Sequence, residues 1–160
     1  MENGNFNIPQ NAVKLNLNWI DSLENCLANY GNQALTKEVM KAAGRNCSIQ
    51  IFNDCEQILG KLPQSVDDLL DAMNQRRLQN HNLDSLWEKK VNTARLILAE
   101  CNCVLVKAGL AKPNPTHCLC SQGMMENLFS KVHKGTVNVE LVKSIGNGHD
   151  VCEFFVTFME

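Results

Sequence analysis

Arginine is scarce in this chain, and long apolar runs are missing altogether. Four arginines (Arg45, Arg76, Arg77 and Arg95) and a formal net charge of −2 leave no basic face for phosphates, so nucleic acid and anionic membrane surfaces are not expected partners. No stretch approaches the roughly 20 apolar residues a membrane-spanning helix needs. The polar opening Met1-Glu2-Asn3-Gly4-Asn5 has no export-signal character, and the expectation is a soluble cytoplasmic protein. Also missing are a glycine-rich phosphate loop after a strand, a G-x-S-x-G elbow and an H-E-x-x-H helix, which speaks against nucleotide enzymes, serine hydrolases and zincins.

What remains is ordinary globular composition with one anomaly. The 160 residues are 44% hydrophobic and 20% charged, enough for one domain with a sizeable core. Residues 1–10 read as an asparagine-rich arm and residues 11–160 as a single domain. The anomaly is eight cysteines, too few for a disulfide-stapled secreted module. Without an export signal they are expected to be thiols. The sequon-like Asn46-Cys47-Ser48 is read as chance.

Periodicity predicts helices first. Val13, Trp19, Ile20, Leu23, Leu27 and Tyr30 recur at largely helical intervals, with Gly31 as the stop. A second helix is expected from Thr36, with its hydroxyl as cap, along Val39, Ala43, Cys47, Ile51, Cys55, Ile58 and Leu62 to Pro63. That series places Cys47 and Cys55 on one core-facing stripe, and Gly44 marks either a weak point or a close approach. Ser65-Val66-Asp67-Asp68 resembles a capping box opening a third helix to about Gln79.

The period then changes. Residues 85–91 predict a short strand, Asn92-Thr93 a turn and residues 94–106 a long central strand through Cys101-Asn102-Cys103. A loop at Pro113-Asn114-Pro115 leads to a short helix from about Ser121. The end predicts a hairpin: Val137, Val139 and Leu141 alternate, Gly146-Asn147-Gly148 turns, and Cys152, Phe154, Val156 and Phe158 share one face. The fold class is α+β, with N-terminal helices on a four-stranded antiparallel sheet closed by a helix and hairpin.

Two C-x-C pairs carry the chemistry. In a strand, Cys101 and Cys103 point the same way and read first as core. Cys118 and Cys120 read as lying in a loop at a helix N-terminus, where unpaired N–H groups favour a thiolate. Spacing of one residue fits the usual zinc pattern poorly, so any metal would draw on distant ligands such as Cys47. His133 and His149 read as solvated, and His81 lies in a polar link.

His117-Cys118-Leu119-Cys120-Ser121-Gln122-Gly123, Gly135-Thr136-Val137-Asn138-Val139-Glu140, Gly148 and Cys152-Glu153-Phe154 resemble the ending of vinyl-4-reductase-type small-molecule-binding domains. These are similar in fold to subunits of a Golgi-tethering complex and to bacterial sensor input modules. Gly44-Arg45-Asn46-Cys47 and the two C-x-C pairs also resemble cysteine-rich prokaryotic proteins and the aminothiazoline-carboxylate-hydrolase-like group. The resemblance implies a pocket between helices and sheet. Cys47, Cys103, Cys118 and Cys120 become candidate ligands for zinc or another thiophilic metal, Cys101, His117 and Arg45 candidate contacts to a small ligand, and Cys152 a structural strand cysteine.

The functional expectation is a binding module with a cysteine-lined pocket for a small molecule or metal. The alternative is a thiol-dependent hydrolase of a small C–N or C–S substrate, with Cys118 or Cys120 as nucleophile and a histidine as base. Hairpin edges or apolar helix faces offer a surface for a homodimer.

Overall fold

The computed structural model describes residues 9–79 and 85–160. Most of the expected arm, and His81, lie outside the described residues. Among these, the chain runs α1 (Gln10–Tyr30), α2 (Gln33–Leu59), α3 (Val66–Gln79), β1 (Glu88–Lys90), β2 (Thr93–Leu98), α4 (Val104–Lys107), α5 (Pro115–Ser130), β3 (Thr136–Lys143) and β4 (Cys152–Met159). The strands form one antiparallel sheet in the order β1-β2-β4-β3. The fold is therefore α+β, with helices first and a hairpin last. None of the described helices is long and apolar enough to cross a membrane.

Local chemistry sets the helix ends. α1 stops before Gly31, and Asn32 caps α2 by accepting the Leu35 N–H at 2.8 Å. Thr36, the expected cap, instead donates its hydroxyl to the Leu27 carbonyl at 2.9 Å and ties the two helices together. α2 ends at Gly60, whose φ of 66° is the left-handed conformation glycine adopts freely. At α3, Ser65 accepts the Asp68 N–H while the Asp68 carboxylate accepts from Gln64, a variant of the expected capping box.

The expected stripe on α2 is corrected. Its buried face is Thr36, Met40, Gly44, Ser48 and Cys55, whereas Val39 and Cys47 are exposed. Residues four apart advance about 400° around a helix of 3.6 residues per turn. The four-residue series therefore spirals from the outer face at Val39 to the core at Cys55. Trp19, Leu23 and Tyr30 of α1 are likewise exposed.

The core lies between the sheet and α5. Cys152, Phe154, Val156 and Phe158 are buried together on one face of β4. Phe129, fully buried, packs edge-on against Trp87 and Phe158 with centroids 5.4 and 5.3 Å apart. α2 crosses α5 almost backbone to backbone. A Cβ at Gly44 would overlap the Cys120 carbonyl, and one at Gly123 would overlap the Lys41 backbone. Gly44 thus permits a close approach.

Two boundaries near the cysteines differ from expectation. β2 ends at Leu98, paired with Cys152, because β4 begins there and offers no ladder partner further on. Cys101 and Cys103 therefore leave the sheet, and residues 104–107 turn helical. α5 begins at Pro115 with Asn114 as cap, so Cys118 and Cys120 lie within the helix and not in a loop before it.

Candidate functional site

Asn114 begins the site. Its side-chain oxygen accepts the His117 N–H at 2.8 Å and starts α5, while its amide nitrogen donates to Glu24 Oε2 at 2.5 Å. One residue thus fixes the helix start and the carboxylate that faces it. Glu24 projects from the inner face of α1, between Ile20 and Leu27, and is only 4% exposed. Burying a carboxylate is costly unless partners satisfy it. The second partner is His117, whose Nδ1 lies 2.5 Å from Glu24 Oε1 and which is itself 4% exposed.

The other imidazole nitrogen, Nε2, lies 3.4 Å from Cys103 Sγ. Cys103 is half-buried at the turn leading into α4. Lys107 pins that turn, its backbone N–H reaching the Cys103 carbonyl and its ammonium bonding Glu100 and Asn102. The Lys112–Asp21 ion pair at 2.8 Å holds the following loop to α1. Carboxylate, imidazole and thiol therefore stand in series, from three separate segments.

Charge follows this geometry. The hydrogen bonds to Cys103 and then to Glu24 outweigh burial and lift His117 to about 9. Burial opposes ionisation of Cys103, yet it is outweighed by the His117 hydrogen bond, by the Val106 and Leu105 amide dipoles, and by the imidazolium charge. The thiol is held below its ordinary value by the imidazole and by the backbone N–H groups at the start of α4. The pair is poised toward imidazolium and thiolate, the form in which sulfur is nucleophilic.

The remaining cysteines divide into groups. Burial, and then the charges of Cys103, Cys47, Cys118 and Glu24, push the Cys120 thiol up to about 12. Cys47 is raised by partial burial and by Cys103. Cys118 faces away, toward Ser144, Cys152 and Cys101, and is raised mainly by burial. Cys101 is also raised by burial. Cys55 sits apart in the core, pushed to about 11, and Cys26 is exposed on α1.

The expected residues are thus brought together in part. Cys103 and His117 are in direct contact, while Cys120 interacts electrostatically with Cys103, Cys47 and Cys118, and Cys101 with Cys103 and Cys152. Among the described residues no three His, Cys, Asp or Glu side chains are placed to hold one metal ion. Arg45 lines an open groove of about 320 Å³ with Gly123, Glu126, Asn127, Ser130 and Thr136, and no cysteine borders it. Sequence reasoning missed Glu24. Its signal was a carboxylate within the apolar stripe of an amphipathic helix.

The architecture, helices over a four-stranded antiparallel sheet with a helix–hairpin ending, is shared with proteins of otherwise distant sequence. Over 94% of this chain and 96% of the other, it superposes on a trafficking protein particle complex subunit 3 from Naegleria fowleri, solved covalently bound to palmitic acid, with a TM-score of 0.60 and 13% identity. The phenol-responsive sensory domain of the transcription activator PoxR, solved with phenol, aligns over 91% of this chain and 73% of its own at 11% identity and a TM-score of 0.49. The superposition on the Naegleria subunit supports the fold expected from the C-terminal motifs. By sequence, the chain belongs to a family of unknown function, DUF6144, whose model matches residues 6–160. No curated protein matches it.

Proposed function

We propose that the protein is a small-molecule-binding module that captures its ligand covalently, through the Cys103 thiolate, as an acyl group. The observation that carries this reading is His117 held between Cys103 and buried Glu24. In the step proposed, the sulfur attacks the carbonyl carbon of a thioester or activated ester. The new C–S bond forms as the bond to the leaving thiolate or alkoxide breaks, and the leaving group takes the His117 proton. Exposed Val104 beside Cys103, with Leu105 next to it, offers an apolar margin for an acyl chain. The Naegleria protein, of similar fold, was solved covalently bound to palmitic acid.

The test is incubation with p-nitrophenyl acetate and with medium-chain acyl thioesters, followed by intact mass and peptide mapping. The expected result is one acyl group per chain on Cys103, released by hydroxylamine and lost in Cys103→Ser. The same thiol–imidazole–carboxylate series also favours a second reading, the thiol hydrolase, with the nucleophile at Cys103 instead of Cys118 or Cys120. A burst that stops at one equivalent of nitrophenol supports capture, whereas continued release supports hydrolysis. Absence of both Cys103 acylation and Cys103-dependent nitrophenol release overturns both.

A further inference from the structure

We propose that the outer face of α1 docks a second copy of this chain, the two α1 helices packing antiparallel across a two-fold axis. The inner face, with Val13, Leu17, Ile20, Glu24 and Leu27, leans on the body of the domain. There Asn16 donates to the Leu110 carbonyl, Asp21 pairs with Lys112, and Glu24 accepts from Asn114. The outer face carries Leu15, Trp19, Ser22, Cys26 and Tyr30. At 3.6 residues per turn these fall within about 80° of the helix circumference, the narrow seam of a paired helix and not the broad stripe of a surface one. That seam is open to solvent: Leu15 is 71% exposed, Trp19 65% and Tyr30 87%.

The spacing favours a copy of the same helix as occupant. About an axis between Ser22 and Leu23, Leu15 meets Tyr30, Trp19 meets Cys26 and Ser22 meets Leu23, each pair twice. Such self-complementarity is what a two-fold interface requires. The two central pairs set a large side chain against a small one, as facing positions in a packed core do. Charge agrees. The charged residues of α1 are Lys14, Asp21 and Glu24; Asp21 is paired, Glu24 is buried, and Lys14 lies about 120° from the centre of the seam. A membrane-surface helix would instead carry several lysines and arginines. Trp19 and Tyr30 each cover about 150–250 Å². With Leu15 and Leu23 they supply a large part of the roughly 800 Å² per partner of a standard interface. Association is accordingly expected in the micromolar range, with Cys26 exposed in dilute protein.

Sedimentation equilibrium of the full, reduced chain is expected to fit a monomer–dimer equilibrium. Trp19→Asp, at a position exposed in the single chain, is expected to weaken it about tenfold or more with an unchanged helical circular dichroism spectrum. Cross-linking reads the register. Ser22→Cys in a Cys26→Ser background is expected to give, on mild oxidation, a dimer bridged between the two copies of position 22, which flank the axis. Wild-type Cys26 lies seven residues, about 10 Å, along the seam from its mate, beyond the reach of a disulfide, and is expected to give no such bridge. A Cys26–Cys26 bridge means parallel helices and overturns the proposal. So does a dimer that Trp19→Asp leaves intact, which places the interface elsewhere. A monomer at every concentration overturns it too, whether residues 1–8 or another molecule covers the seam.

Discussion

His117 Nδ1 lies 2.5 Å from Glu24 Oε1, and both side chains are almost wholly shielded from water. That contact fixes the ring so that Nε2 faces Cys103. It also supplies the negative charge that keeps a buried imidazolium tolerable. Removing either member is expected to return Cys103 toward an ordinary thiol. At pH 6.5 an ordinary thiol is only about 1% ionised. His117→Asn should therefore slow Cys103 alkylation about tenfold or more there, and Glu24→Gln by a smaller factor. Iodoacetamide kinetics resolved by peptide mass spectrometry check both, and unchanged rates would count against the series.

The same pair predicts how stability depends on pH. His117 has a folded-state value of about 9, above its ordinary 6.5. Its contribution is therefore complete below pH 6.5 and is lost as pH rises through about 9. The Cys103 displacement has the opposite sense: present above 9.0, it is lost as pH falls through the lowered value. Urea denaturation of wild type, His117→Asn and Cys103→Ser over this range separates the two. The gap between wild type and His117→Asn is expected to be widest below pH 6.5 and to narrow through 9. A gap independent of pH contradicts the assignment.

Much of the fold was legible because its signals are local. Alternation along β4 identified Cys152, Phe154, Val156 and Phe158 as one buried face, and Ser65 with Asp68 marked the start of α3. The strand through Cys101 and Cys103 failed for a nonlocal reason: β2 stops where β4 begins, which the apolar residues from 94 to 106 do not encode. The Cys118–Cys120 loop failed because Asn114-Pro115, read as a break, is a cap followed by a first-turn proline. The site was half legible. The resemblance marked His117 as a ligand contact and Cys103, otherwise read as core, as a metal ligand, but their pairing depends on α1 delivering Glu24 from 93 residues away.

The α2–α5 crossing predicts a size limit. Gly44→Ala places a methyl group within the Cys120 carbonyl, where only backbone movement gives relief. The expected cost is about 3 kcal/mol, as for an overpacked core, read from urea denaturation. Because that carbonyl belongs to the residue one turn beyond His117, Cys103 reactivity should change as well. Wild-type stability in Gly44→Ala would mean that the helices do not approach so closely.

Phe129 joins Trp87 to Phe158 beneath α5 with no exposure. Phe129→Ala is expected to cost about 3–5 kcal/mol through lost burial and a residual cavity. Cys26→Ser, at an exposed position of α1, should change stability by less than about 0.5 kcal/mol. Thermal or urea melts of the two variants check the contrast.

The most direct measurement is the rate of iodoacetamide alkylation of every cysteine in the reduced chain, followed by mass spectrometry as pH rises from acid to alkaline. Cys103 is expected to react first and to reach half its maximal rate below pH 9.0, with Cys120 and Cys55 last. If Cys103 reacts no faster than exposed Cys26 at any pH, the imidazole and carboxylate do not activate its sulfur.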